Sequence, residues 1–383
     1  MSNSFSKEER VAFEDILEGF QDLLVLSRHV SVYNTDQTMM ARTNDTIWRP
    51  MPYIAQSQTS APGTPVTYQN MTQLSVPSTI GFSQTVPWTM TTLDLRDALQ
   101  EGRLGESAKQ KLASDINVAI MNTAAAQGTL VVPIVGAAGD YDDVSLCDTI
   151  MNEQGVPDYD RFLGLSSRDY NGMAGNLAVA TRSFGNPKSN LAYERNQVGM
   201  VAGFDTYKFD YANRIAIAAG GVTTIDTSGA QAQYVPQATS TSVGGQINVD
   251  NRYQTVTVSN SAGVVAGDAF TIDGIYAVHH ITKVSTGQLK TFRVISVPAG
   301  GVTLVISPPI IAATAPATDA ELQYKNVQLV TAAGAAALNW LNTGASAINV
   351  FWQKDSLEIL PGRYAIPSDA GTAVMRATTD QGV

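Results

Sequence analysis

The sequence predicts an α+β protein, on three observations. Segments with apolar residues at helical spacing occupy 6–24 and 104–120. A proline-studded stretch without a single charged residue lies between them, at 50–93. A β-branched, turn-rich block runs from 222 to 323 and interrupts the mixed character on either side. The 383 residues, 44% of them apolar, correspond to roughly two to three domains at about 150 residues each, ample for a buried core.

The first helix signal begins at Ser6, which forms a capping box with Glu9. Phe13, Ile16, Leu17, Phe20, Leu23 and Leu24 then make one apolar stripe. Glu14, Asp15, Glu18 and Asp22 fall largely outside it, either as a solvated face or as an arm that docks a basic partner.

The segment 50–93 cannot be a long helix, because Pro50, Pro52, Pro62, Pro65, Pro77 and Pro87 interrupt it. Met71, Leu74, Ile80, Phe82 and Trp88 argue against a disordered tail. It is expected to be an ordered, projecting β arm whose uncharged surface packs against neighbours.

A second helix is expected from Leu104, Ala108, Leu112, Ile116 and Ile120, with Gly128 as its stop. Thr129-Leu130-Val131-Val132 reads as a strand. In 222–323, strand candidates at 253–258, 269–272, 292–295 and 302–306 are separated by glycine-containing turns. This suggests a compact β-barrel or sandwich inserted into another domain. Mixed character resumes near Asn326, with a helix expected over 332–341 and a strand over 347–352.

Charged residues are only 15% of the chain, against about 25% in an ordinary soluble domain. Such a surface suits contact with other protein. The net charge of −10 argues against tight binding to phosphate backbones. Cys147 is the only cysteine, so neither an internal disulfide nor a cysteine-rich zinc site is available. No secretory signal pattern opens the chain. The uncharged runs 294–318 and 326–353 are too rich in proline or in Asn, Gln, Thr and Gly to be membrane spans.

Catalytic and ligand-binding patterns are missing. His279 and His280, if on a strand, point to opposite faces and share no metal. In Gly185-Asn186-Pro187-Lys188-Ser189, proline replaces an amide that a phosphate loop would need. Asp140, Asp142 and Asp143 lack the glycine and terminal glutamate of a calcium loop and read as a solvated loop. Cys147 has no neighbouring histidine to activate it and reads as a buried thiol. No catalytic, cofactor or metal residue is assigned.

Asn44-Asp45-Thr46-Ile47-Trp48-Arg49-Pro50 resembles the entry to the extended loop in coat proteins of P22-like tailed bacteriophages. Leu95-Arg96-Asp97, Lys111-Leu112-Ala113 and Gly128-Thr129-Leu130-Val131 resemble that family's spine-helix region. Val201-Ala202-Gly203-Phe204-Asp205, Asn248-Val249-Asp250-Asn251-Arg252-Tyr253 and Asn349-Val350-Phe351-Trp352 resemble the approach to the inserted domain, that domain itself, and the return from it. The matches are short but collinear over nearly the whole chain.

The resemblance implies an HK97-like capsid fold. Its parts would be an N-terminal arm (1–49), an extended β loop (50–93) and a peripheral-domain spine helix region (94–128). An axial domain (129–221), an inserted β-barrel (222–325) and a return through axial to peripheral domain (326–383) would follow. It implies a major capsid protein without enzymatic activity, forming pentamers and hexamers of an icosahedral shell around double-stranded DNA. A scaffolding protein and a portal protein are implied partners, the DNA being touched weakly and non-specifically. Assembly would take place in the host bacterial cytoplasm, and no membrane is involved. Glu14, Asp15 and Glu18 match the arm helix that faces the scaffold.

Two features depart from the family pattern. Residues 240–246 carry no charge, so a salt-bridge role for that loop is not expected. The chain also reaches Val383 soon after 366–369, where relatives continue into closing strands. The competing readings are a β-rich tail or surface carbohydrate-binding protein, suggested by 222–323, and a weaker one, a hydrolase using Asp140–Asp143.

Overall fold

The computed structural model describes residues 26–33, 46–57, 61–66, 68–79, 81, 83–87, 98–134, 136, 138–180, 187–209, 213–215, 224–226, 233–329, 335–342 and 346–361. Its helices are α1 (Ala98–Gln127), α2 (Tyr141–Gln154), α3 (Ser167–Ala180), α4 (Pro187–Arg195) and α5 (Asp319–Tyr324). The chain divides into two compact units. One comprises Met1–Ile47, Ser78–Asn122 and Lys354–Val383; the other comprises Trp48–Pro77 and Thr123–Gln353.

In the first unit, a short 3-10 turn at Leu26–His29 buries Leu26, and Val30 follows it into the interior. Ser31–Val32 then pairs in parallel with Glu358–Ile359, which draws together two segments far apart in sequence. The 30-residue α1, which passes into the second unit at Thr123, is the expected second helix and stops before Gly128. Gly128 donates its amide to Ala124 O at 2.9 Å, and a Cβ there would lie 2.7 Å from that oxygen. The face differs from the expected one. Among the described side chains, Ala108 is buried as expected and so are Ala113, Met121 and Ala125, whereas Leu112, Ile116 and Ile120 are half-buried.

Among the described residues, the second unit holds two larger sheets, besides the two-stranded pairs Thr239–Ser242 with Gly245–Asn248 and Asn213–Ile215 with Ser346–Ile348. A four-stranded sheet has the order Val350–Gln353, Arg161–Ser166, Phe204–Phe209, Met200–Val201. Every residue of Arg161–Ser166 is buried. This strand runs parallel to Phe204–Phe209, a pairing that needs a crossover, and α3 and α4 lie between the two in sequence. Packing here is close enough to dictate Gly164, where a Cβ would fall 1.9 Å from Phe209 Cε2. Val144, Cys147 and Met151 of α2 join Leu163, Leu165, Tyr170, Met173 and Phe204 in one core.

α2 shows how local chemistry sets an element's limits. Asp140 precedes it in extended conformation, and its amide donates to the Asp143 carboxylate at 3.3 Å. Gly155 ends it in the left-handed region, at φ 79°. The amides of Gly155 and Val156 then donate to Asn152 O and Met151 O, both at 3.0 Å, satisfying carbonyls the helix leaves open.

The larger sheet has seven strands. Its path runs Gln254–Thr257, Thr303–Ser307, Ser285–Ser296, Ala269–Val278, Ala335–Trp340, Thr224–Asp226, with Val327–Leu329 pairing beside Ala269–Val278. A bridge between Ile225 and Val258, with Ser259 N donating to Thr224 O at 2.9 Å, brings the two ends together. The sheet is therefore a nearly closed barrel, and closure removes exposed edges. Phe270, Ile272, Phe292, Val294, Leu304 and Ile306 fill it with essentially no exposure. The Phe270 and Phe292 rings stack at 5.7 Å.

Three local expectations are corrected. Residues 332–341 contain not a helix but the strand Ala335–Trp340, because pairing with Ala269–Val278 overrides the helix preference of alanine. The β sheet consequently extends past residue 325, to Trp340. Thr129-Leu130-Val131-Val132 forms no paired strand; Leu130 and Val132 pack against the α2 core instead.

Candidate assembly surfaces

Among its described residues, the charge-free stretch combines an anchored base with uncovered side chains. Ser75–Thr79 pairs with Thr46–Pro50, and Met51 N donates to Leu74 O at 2.8 Å. Leu74 is fully buried against Ile311 and Tyr324, with Met51, Ile54 and Tyr234 around them. Polar contacts fix the register. The Gln323 side chain accepts from Thr72 N at 3.0 Å and donates to Thr72 O at 3.2 Å, while Tyr324 OH donates to the same oxygen at 3.1 Å. Each such bond contributes on the order of 1 kcal/mol.

The two partners come from α5, which is oriented by a capping box between Thr318 and Glu321. Beyond the base, the segment is not the continuous β arm expected. Residues 51–57 and 61–66 have no paired strand, and apolar side chains stand in solvent: Tyr53, Val66, Met71 and above all Tyr68, which is 94% exposed.

A second projecting feature is the hairpin of Thr239–Ser242 with Gly245–Asn248. The tip residue Val243 is fully exposed, and Ile247 is largely so. Asn251 ties down its base. Its carbonyl oxygen accepts from Gln237 N and from Tyr234 OH, both at 3.0 Å, and its amide donates to Gln237 O at 2.8 Å. Beside it, Arg252 makes a two-pronged pair with Asp250 and lies 5.0 Å from the Tyr253 ring centre. This accounts physically for the Asn248–Tyr253 segment on which part of the resemblance rests.

Glu14, Asp15 and Glu18 lie outside the described residues, as does the helix expected over 6–24. Asp140 and Asp143 are a helix-capping pair rather than a solvated loop, with Asp142 in the first turn. Cys147 is buried, and burial reinforced by the Asp143 charge pushes its thiol up to about 12. Pro187 opens α4 at a position where its missing amide costs nothing.

His279 and His280 are not on a strand but in the turn after Ala269–Val278. His279 Nδ1 accepts from Ile281 N and Thr282 N, both at 3.2 Å. Among the described residues, no group of three or more His, Cys, Asp or Glu is placed to hold a metal ion. Among them, too, no helix is long and apolar enough to cross a membrane.

Buried charged groups are the feature sequence reasoning missed. Arg161, 2% exposed, pairs with Asp148 and donates to Asn152 Oδ1, Val156 O and Pro157 O, so it locks the end of α2 to the adjoining strand. Arg293 donates to Gly128 O at 2.9 Å and Gly267 O at 2.7 Å, joining the end of α1 to the barrel. Burial, partly offset by Asp268, lowers it to about 10. Asp268, fully buried, accepts from Val265 N and Asn342 Nδ2. Lys290 donates to Gln154 Oε1 at 2.6 Å, and burial lowers it to about 8. Ser166 Oγ accepts from Asp169 N at the start of α3 and donates to the Asp169 carboxylate, which also accepts from Asn349 Nδ2 and fastens the returning strand. The only signal in the sequence is a polar residue inside a β-branched run, as at Lys290 and Arg293.

The whole chain, residues 1–383, matches the family described as P22 coat protein, gene protein 5. Three solved structures are also similar. The CUS-3 coat protein I-domain is 32% identical over 36% of this chain and 99% of its own, with a TM-score of 0.23. A chain from Mycobacterium phage Che8 is 13% identical over 75% of this chain and 85% of its own, with a TM-score of 0.39. The mature capsid of bacteriophage PhiM1 supplies a chain 10% identical over 85% of each, with a TM-score of 0.37. Membership rests on the first of these findings, because it spans every segment on which the resemblance was drawn: the chain belongs to the P22 coat protein family.

Proposed function

We propose that the chain builds its shell through the uncharged segment anchored at Leu74 and uncovered at Tyr68, with a scaffolding protein guiding assembly. As a member of this family it is a phage major capsid protein of HK97-like fold, and copies of it form an icosahedral virion shell. The carrying observation is the contrast within the segment itself. Its base is pinned by Gln323 and Tyr324, while Tyr53, Val66, Tyr68 and Met71 stand free. Covering such groups with a neighbouring subunit contributes roughly 25 cal/mol per Å² of apolar area.

On this reading the arm (1–49), extended loop (50–93), spine region (94–128), axial part (129–221), inserted module (222–325) and return (326–383) are the working parts. The barrel's last strands are drawn from the return. Glu14, Asp15 and Glu18 dock the basic face of the scaffolding protein in the host cytoplasm, a portal protein occupies one vertex, and the acidic wall leaves packaged DNA loosely held. Catalysis has no part in it. The carbohydrate-binding alternative has no observation in its favour once the family match spans the chain.

Electron microscopy of the protein expressed with its scaffolding protein tests the reading, and closed shells are expected. Combining Glu14→Gln, Asp15→Gln and Glu18→Gln is expected to lower shell yield and flatten its salt dependence. Unchanged yield and salt response would remove those three residues from the scaffold contact.

A further inference from the structure

We propose that α5 serves as a surrogate strand for the charge-free segment. Gln323, helped by Asp319, is then a positioning residue that holds residues 70–74 in their assembly pose before any neighbour arrives. This rests on the shell-forming reading above. Asn70, Thr72 and Leu74 are two apart, and in an extended chain such positions turn their backbone groups to one edge. The observed bonds keep that period. Leu74 O accepts from Met51 N at 2.8 Å, next to the pairing of Thr46–Pro50 with Ser75–Thr79. One step further along, α5 takes over from that partner chain. Thr72 N donates to Gln323 Oε1 at 3.0 Å and Gln323 Nε2 donates to Thr72 O at 3.2 Å, while Asn70 N donates to Asp319 Oδ2 at 3.2 Å.

Spacing explains how a helix can stand in for a strand. Asp319 and Gln323 are four apart, on one face of α5. Four helical residues advance about 6 Å, and two strand residues advance about 6.6 Å, so the two repeats agree within about 1 Å. The Gln323 carboxamide both accepts from and donates to Thr72, the exchange that a facing backbone residue makes in an antiparallel ladder.

The hold is strong because Gln323 is 3% exposed and, among the described residues, bonds through its carboxamide to Thr72 alone. Swinging the segment away would leave that buried amide without partners, which is costlier than losing an exposed bond. The Thr318–Glu321 capping box fixes the start of α5 from within the helix itself. Tyr324 OH adds a further bond to Thr72 O, and its side chain packs with Leu74. Among the described residues, the backbone of Asn70 and Thr72 bonds only to α5. Met71 lies between these held positions and Tyr68 two residues before them, so the hold sets where both exposed side chains are presented.

Amide hydrogen exchange on the unassembled, full-length subunit tests this. Gln323→Met is similar in length but cannot bond Thr72. It is expected to speed exchange at Thr72 about tenfold. Barrel amides such as Gly267 and Val294, bonded to Val294 O and Asp268 O, are expected to keep their rates. Shell yield at equal protein concentration is expected to fall severalfold alongside. Gln323→Glu, when ionised, keeps an acceptor for Thr72 N and loses the donor to Thr72 O, so its exchange is expected to lie between the other two.

Unchanged exchange at Thr72 in both variants would overturn the proposal. Equal acceleration of Thr72 and the barrel amides in both would also overturn it, because Gln323 would then only support the fold. Faster exchange at Thr72 with undiminished shell yield removes the positioning role. Failure of the unmodified protein to form shells strikes the shell reading instead, since exchange in the free subunit is read without them.

Discussion

The barrel and the charge-free segment invert the usual placement of polar and apolar groups. The barrel buries Asp268, Lys290 and Arg293 among Phe270, Phe292 and Ile306, each ion satisfied by a named partner. The segment has no charge at all, yet leaves Tyr53, Tyr68 and Met71 in solvent. One region is complete within a single chain; the other is complete only at Leu74. Low charge density therefore arises twice here from different causes, a closed interior in one place and an unfinished contact in the other.

The sharpest way to break the comparison is to open the barrel. Phe270→Ala removes a fully buried ring stacked on Phe292 and beside Trp340. It is expected to cost about 3–5 kcal/mol, read by urea unfolding followed through tryptophan fluorescence. A loss below about 1 kcal/mol would mean that the barrel collapses around the void and is not closely packed.

Lys290 gives an intermediate and pH-dependent effect. Its folded-state value of about 8 lies below the ordinary 10.5, so the unfolded chain binds more protons between those limits. Stability of the unmodified protein should then rise as pH climbs from about 8 to about 10.5, and the rise should be smaller in Lys290→Met, where Lys283, which burial also lowers to about 8, still contributes. At pH 7 that variant is expected to be more stable by about 1–3 kcal/mol, Gln154 losing one partner in exchange. Parallel pH–stability curves for the two proteins would contradict the assignment.

The smallest effect on folding belongs to Tyr68. Tyr68→Ser should leave subunit stability within about 0.5 kcal/mol, since the ring touches little in its own chain. Shell yield, scored by sedimentation, should nevertheless fall. Equal yields would place Tyr68 outside any subunit contact, and a large loss of stability would show that the segment is self-sufficient after all.

Much of this was legible in local chemistry. Helix α1 and its stop at Gly128, the strands around 254, 270, 292 and 304, and the turns between them follow from spacing and turn residues. The departure at Ala335–Trp340 has a definite origin: alanine favours a helix in isolation, but the free edge of Ala269–Val278 supplies backbone partners that a helix would leave unused. Thr129–Val132 went the other way: Leu130 and Val132 pack against the α2 core, and Thr129 O accepts from the Thr291 side chain rather than in a strand pairing.

Assembly surfaces were legible only in part. Absence of charge over 50–93 is read from composition alone, and on the proposed function it marks the surface that a neighbouring subunit covers. Which residues are pinned and which are left over is decided by α5, more than 240 positions away in sequence, through Gln323 and Tyr324 on Thr72.

The sequence by itself determined helix α1, the barrel strands around 254, 270, 292 and 304, the low charge of the chain, and membership in a coat-protein family. Those properties reside in spacing, composition and short motifs. Tertiary structure alone decided the closure of the barrel through Ile225 and Val258, the satisfaction of Asp268 by Asn342, and the setting of the 279–284 turn at the end of α2. These depend on hydrogen bonds between residues distant along the chain, whose geometry no local pattern encodes.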